Sequence, residues 1–281
     1  MKPILLALIA LCAHAQTPDV AAIMTRVAEN RGAAKELRKE WVYHQKQLLR
    51  MHRSNGKLAR EERREYVVTP DDKGVQKELK RLEGKYERRG KFFTYDEPGF
   101  NYKDVDIDGD LIDDMSNDMV GSDSRDGVAK ELFPLTAEEQ VKYRFKLKGV
   151  ETWRGRPVYR VAFEPRPRKG GEGESNIDHS IWKGEALIDA EEYQPITVST
   201  QLAPKIPAAV KILLGTNLKG LGFSLSYQKF ADGVWFPVSY GGEFEVRAVF
   251  FYKRRISISM VNADFRRAEV SSRVAYAAEE K

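Results

Sequence analysis

The stretch Asp104-Val-Asp106-Ile-Asp108-Gly109 sets three carboxylates at alternating positions ahead of a glycine, the opening half of a calcium loop. A calcium loop of this kind closes on a bidentate glutamate at its twelfth position. Here the twelfth position is Met115, whose thioether has little attraction for a hard cation, and Pro98 and Gly99 argue against an entering helix. The competing reading is a helix capped by Asp108 and running toward Met119. It would bury Leu111, Ile112, Met115 and Met119 and leave Asp110, Asp113 and Asp114 outside. Early acids suit the partial positive charge at a helix N-terminus. The helix is the favoured reading, and Asp104, Asp106 and Asp108 remain a weak calcium candidate.

Other chemistry is sparse. His44, His52 and His179 lack the partner spacing of a zinc-binding helix. His44 and His52 stand an even number apart and could share a strand face, as ordinary polar side chains. His179 beside Ser180 has neither an ordered acidic partner nor a nucleophile elbow. "GTNLKGLG" lacks the Gly-Lys-Ser/Thr ending of a phosphate loop. No catalytic residue is expected, no cofactor is implied, and the chain does not read as an enzyme.

The elements around these residues begin with residues 1–15, which have the form of a secretory signal. Lys2 gives a positive start, Ile4 to Ala13 an apolar run, and Ala13-His14-Ala15 a small-residue cleavage site. Cys12 follows the bulky Leu11, where a lipid-attachment signal wants a small side chain. The expected location is therefore the periplasm or envelope, with residues 16–281 forming one domain. Without the signal no cysteine remains, so disulfides and thiolate chemistry are excluded and core packing must supply the stability. The formal charge of +5 falls by one when Lys2 leaves. Such a small, dispersed excess argues against a nucleic-acid partner and allows mild attraction to anionic lipid surfaces.

Thr17-Pro18 reads as an N-cap with proline at the first helical position, followed by Val20, Ile23, Met24 and Val27 at helical spacing. From Trp41 to Arg53 strand formers dominate, ending at Asn55-Gly56, a hairpin signal. Residues 58–88 are ambiguous: "LAREERREYVV" is charged enough for a helix, and Val75, Leu79, Leu82 and Tyr86 carry a helical spacing. The second half alternates with period two, clearest at Ile196 to Leu202 and Leu221 to Gln228, and short turns such as "TWRGRP" and "FADGVWFP" link an antiparallel series. Thr136 and Glu139 form a capping box opening a helix to about Tyr143. "KIPAAVKILLG" is a second short amphipathic helix, residues 165–180 form a mobile loop, and 104–126 form an acidic helical insertion.

The hairpins "GVETWRGRPVYRVAFEP", "WKGEALIDAEEYQPITVSTQL" and "GVWFPVSYGGEFEVRAVFFYKRRISISMVNADFRR" follow an export signal and a leading amphipathic helix. Together they resemble the outer-membrane lipoprotein carrier and sorting superfamily of periplasmic proteins. The resemblance implies a mostly β fold with helices (α+β), an incomplete antiparallel barrel or strongly curved sheet whose concave face helices cover. It also favours strands for residues 58–88. Its functional implication is a carrier or binding protein for lipoprotein or lipid acyl chains; the alternative is an envelope sensor or scaffold binding a protein partner.

An unfilled apolar hollow would gain about 0.8 kcal/mol per methylene taken in. The expected lining is Trp41, Tyr43, Phe145, Tyr159, Val161, Phe163, Trp182, Phe223, Leu225, Tyr227, Phe244 and Phe250, about half of it plain core. Ile206, Val210, Leu213 and Leu214 form the expected lid, with the first helix as a second. A monomer is expected, meeting a lipid or lipoprotein acyl chain and a membrane surface or membrane receptor.

Overall fold

The computed structural model describes residues 18–71, 74–118, 133–166, 182–202, 219–248 and 252–268. Residues 1–15, Thr17, Met119, the rest of the acidic insertion to 126, His179 and nearly all of the 165–180 loop lie outside them. So do Phe250 and the expected lid residues Ile206, Val210, Leu213 and Leu214.

The described strands form one open sheet, entirely antiparallel. They are β1 (Trp41–His52), β2 (Leu58–Asp71), β3 (Gly74–Arg88), β4 (Lys91–Tyr95), β5 (Tyr143–Trp153), β6 (Arg156–Pro165), β7 (Trp182–Asp189), β8 (Pro195–Leu202), β9 (Lys219–Ala231), β10 (Val234–Ala248) and β11 (Tyr252–Arg267). Their spatial order is β4-β3-β2-β1-β11-β10-β9-β8-β7-β6-β5, so two meanders are joined by the pairing of the first and last strands. Strands β4 and β5 are the two free edges.

Turn chemistry fixes the hairpins. Trp153 pairs with Arg156 across Arg154-Gly155, which have φ of 49° and 82°. Two consecutive positive φ angles match the twist of the flanking strands, and glycine takes the second at no steric cost. Asp232-Gly233 also joins paired residues, Ala231 and Val234, but there only Gly233 takes a positive φ, 71°.

Among the described residues three α-helices accompany the sheet: α1 (Val20–Leu37), α2 (Ile107–Asp118) and the single turn α3 (Ala137–Gln140). Asp19 caps α1, its carboxylate accepting from the Ala21 amide at 3.1 Å. Pro18 precedes this cap, so the start lies later than the expected Thr17-Pro18 pair. Ile23, Met24 and Val27 are buried from the first half of α1. The α3 turn opens as expected, Thr136 Oγ1 accepting from the Glu139 amide at 3.3 Å, but it ends at Gln140. Tyr143 already belongs to β5, where its buried ring meets Phe163 edge to face at 5.9 Å.

Residues 58–71 and 74–88 are strands β2 and β3, as the resemblance implies. The helical spacing of Leu79, Leu82 and Tyr86 is overridden by pairing: Arg64 opposes Leu82 and Arg60 opposes Tyr86. Local propensity yields to a ladder that satisfies every paired backbone group.

Candidate functional site

Directly paired residues share a face, so the registers define rows across the sheet. One row runs Phe145, Phe163, Gly184, Thr200, Phe223, Gly242, Ile258, Leu49, Glu62, Gly84 and Tyr95 from β5 to β4. The next runs Val161, Ala186, Val198, Leu225, Tyr240, Met260, Gln47, Arg64 and Leu82. Both rows are predominantly apolar from β5 through β11, and both turn charged on crossing from β1 to β2.

The apolar part is a wall covered on the same side by side chains from outside the sheet. Ile23, Met24 and Val27 of α1, Ile112 and Met115 of α2, and Phe133 and Leu135 join one continuous cluster with the wall. Of the expected lining, Val161, Phe163, Trp182, Phe223, Leu225, Tyr227 and Phe244 are buried in this cluster, and Phe145 and Tyr159 pack against it. Trp41 and Tyr43 lie elsewhere, in a separate cluster with Val68, Val234 and Phe236. Phe223 is the aromatic centre of the large wall cluster, stacked on Tyr240 at 5.5 Å and edge-on to Trp182 at 5.5 Å and Phe244 at 6.3 Å. These covering side chains lie over part of the ground where the sequence led us to expect an empty hollow.

The charged wall faces α2. Arg60, Glu62 and Arg64 alternate along β2 and are 1%, 1% and 2% exposed. Arg60 donates from Nε to the Tyr95 hydroxyl at 2.9 Å and from Nη1 to Asp106 Oδ2 at 2.6 Å. Its remaining Nη2 donates to the Phe100 carbonyl. Tyr95 donates in turn to Glu62 Oε2 at 2.7 Å, and Glu62 also accepts from Arg64 Nε. Arg64 Nη2 reaches Asp113 Oδ1 at 2.8 Å. The Tyr95 ring lies directly over Gly84, where a Cβ would come within 2.0 Å of the ring.

Burial works against the charge on Arg60, but Tyr95 and Asp106 outweigh it and raise its pKa. Burial opposes Arg64 likewise, and Asp113, Glu62 and Tyr66 raise it. Tyr95 is pushed up by its own burial and by the Glu62 charge, so its hydroxyl stays a donor. Each buried charge is thus paired and hydrogen-bonded, the condition under which burial of ions is tolerable.

The acidic stretch supplies the other half of these pairs. Asp106, rather than the expected Asp108, caps α2: its Oδ1 accepts from the Gly109 amide at 3.2 Å and its carbonyl from the Asp110 amide at 2.9 Å. Asp108 is thereby released to accept from Arg254 Nε at 2.9 Å and Nη2 at 3.0 Å, and from the Tyr252 hydroxyl at 2.7 Å. Burial and the Asp108 charge raise the Tyr252 pKa. Asp110 accepts from Asn101 at 2.7 Å. The carboxylates of Asp106 and Asp108 therefore face separate arginines, and no cluster of three metal-ligating side chains occurs among the described residues. Ile112 and Met115 are buried and Leu111 half-buried, as the helical reading of this stretch requires.

The sequence did not mark Arg60, Glu62, Arg64 or Arg254 as site residues. Their period-two spacing in "AREERREY" is visible, but acids and bases occupy both faces of β2, so no dry face shows.

The face between the sheet and its cover is imperfectly satisfied. Ser116 Oγ on α2, Gln47 Oε1 on β1 and the Tyr240 hydroxyl on β10 are buried without a hydrogen-bond partner. Burial raises the Tyr240 pKa well above its ordinary value, keeping the hydroxyl protonated. Each orphaned group costs about 1–3 kcal/mol.

No protein-family model and no curated protein matches the chain. Among solved structures it is similar to a putative outer membrane lipoprotein-sorting protein domain from Vibrio parahaemolyticus, at 12% identity and a TM-score of 0.39. That match covers 86% of this chain and 90% of the other. It is also similar to a LolA superfamily protein from Nitrosomonas europaea, at 10% identity and TM-score 0.36, covering 90% and 96%. A third similarity is to MucB in complex with MucA(peri), at 12% identity and TM-score 0.23, covering 89% and 100%.

Proposed function

We propose that the protein binds the acyl chain of a lipid or lipoprotein against its apolar wall, as an exported carrier in the cell envelope and without covalent chemistry. The observation that carries this reading is the nature of the cover. The wall is continuous across β5 to β11, yet among the described residues what shields it is two separate helices and residues 133–135, joined to it by side chains rather than by a backbone ladder. Such a cover can leave and return without breaking a strand pair. A sixteen-carbon chain entering in its place would gain roughly 12 kcal/mol before ordering and desolvation costs. Re-covering by the same helices offsets part of that gain, which suits a carrier that must also release its load.

The test is titration of delipidated protein with a fluorescent long-chain fatty acid and with the matching fatty alcohol. Saturable binding of either, competed by the unlabelled compound, is expected; binding of neither at micromolar protein overturns the reading. A second reading, a sensor or scaffold with a protein partner, draws on Phe92 and Phe93, which are 54% and 45% exposed on the edge strand β4. An exposed apolar edge is a template for added strands.

A further inference from the structure

Helix α2 resembles an amphiphile in how it is held. Its apolar side chains Ile112 and Met115 enter the covered cluster, while Asp106, Asp108 and Asp113 meet three arginines. Asp106 and Asp113 are seven residues apart, about 10 Å along a helix. Their partners Arg60 and Arg64 are four apart on β2, roughly 13 Å along a strand. Helix and strand thus run in step, and α2 packs on β1 and β2. The third pair lies near the first. Met51 of β1 pairs with both Arg60 and Ile256, and Arg254 stands two residues along β11 from Ile256, on the same face.

Among the described residues, removal of α2 would leave Arg60, Arg64 and Arg254 against the fixed carboxylate of Glu62, an excess of two positive charges beside an apolar surface. Arg60 and Arg64 are almost fully buried, and charges so placed need a partner. An uncharged chain sliding onto the wall would not provide one. A chain ending in a carboxylate or phosphate would, since planar guanidinium groups bind such oxygens with paired hydrogen bonds.

We propose that Arg60, Arg64 and Arg254 form an anionic headgroup site for which α2 is the built-in occupant, so that the preferred ligand is an anionic amphiphile. This rests on the acyl-binding reading and adds the chemical class of the head. The three aspartates then act as a competitor carried by the chain itself. Weakening them eases entry for every chain, whereas weakening an arginine removes only the preference for a charged head.

The experiment is displacement of a fluorescent, uncharged acyl probe by hexadecanoate, hexadecyl phosphate, hexadecanol and inorganic phosphate. The two charged amphiphiles should bind roughly tenfold or more tightly than hexadecanol. Inorganic phosphate at millimolar concentration should displace nothing. Arg254→Gln, at a side chain 18% exposed and so tolerant of change, should cut the charged-to-uncharged ratio severalfold, and Arg254→Lys should restore part of it. Asp108→Asn should tighten charged and uncharged amphiphiles alike and leave their ratio unchanged; since it alters no arginine, it also serves if Arg254→Gln fails to fold. Equal affinity for hexadecanoate and hexadecanol, a ratio indifferent to Arg254→Gln in folded protein, or displacement by inorganic phosphate as effective as by hexadecyl phosphate each overturns the proposal. Failure of all the amphiphiles to bind overturns the acyl-binding reading itself.

Discussion

Strands β5 to β11 and strands β2 to β4 present the same face of one sheet to their covering elements, yet they hold those elements by different physics. The side chains Ile23, Met24 and Val27 of α1 meet the wall by apolar, non-directional contacts, whose strength follows the area removed from water. Under α2 they are hydrogen-bonded ion pairs, which demand register: Asp106 must meet Arg60 while Asp113 meets Arg64. The first kind of contact tolerates sliding and replacement by another oily surface. The second specifies one position and charges heavily for a missing partner. One half of the sheet therefore holds its cover by buried area and the other by position.

The comparison breaks most visibly at Arg60. Arg60→Ala leaves Asp106 buried with its partner gone and should cost about 3–5 kcal/mol of stability in urea unfolding. The joint change Arg60→Met and Asp106→Asn removes both charges but keeps a capping oxygen, and should recover more than half of that loss. Equal damage from the single and joint changes would show that the pair is not the source. On the apolar side Ile256, fully buried between Phe244 and Met51, has no such rescue. Ile256→Ala should cost roughly 3 kcal/mol, the usual scale for a truncated core side chain.

The smallest effect sharpens the contrast at the seam beside α1. Asn30 of α1 donates to the Glu192 carbonyl at 2.6 Å, and the Glu192 carboxylate accepts from Trp235 Nε1 at 2.8 Å, Lys229 at 3.0 Å and Arg156 at 3.1 Å. Burial alone would raise this carboxyl, but those three donors outweigh it and hold it below its ordinary 4.5. A lowered folded-state pKa contributes stability that is complete above the unfolded value and fades as pH falls through the folded one. The stability gap between the wild type and Glu192→Gln should therefore be constant at neutral pH and shrink below 4.5. A gap unchanged at pH 3 would sink this assignment.

Legibility in the sequence divides along the same line as the two halves of the sheet. Val161, Phe163, Phe223 and Leu225 announced their strands because an apolar wall with a wet outer face writes period two into the chain. Strand β2 wrote nothing comparable, since its inner positions are Arg60, Glu62 and Arg64 and its outer ones include Glu61 and Arg63. Glu61 faces the other way, where Arg50 at 2.6 Å and Lys85 at 3.1 Å outweigh its burial and lower its pKa. Charge on both faces looks like a solvated helix until pairing partners are known, and those partners sit 46 and 49 residues away. Residues 107–118 of the acidic stretch form a helix as expected, but its cap lies two residues before the expected one, because Asp106 and Asp108 are equally good caps by type. Only the position of Arg254, 146 residues on, decides which of them is free for another task.

The pairing of β1 with β11 has a consequence for how this chain reaches its structure. Gln45 and Asn262, hydrogen-bonded at 3.1 Å, are 217 residues apart, and every residue between them must exist before that bond can form. The two meanders can assemble from neighbouring hairpins, but the ladder that unites them closes the longest loop in the molecule, a step whose entropy slows assembly. Until it closes, β1 presents a bare rim to any other extended chain, so a helper that shields this strand during synthesis would raise the yield of folded molecules without touching their final stability.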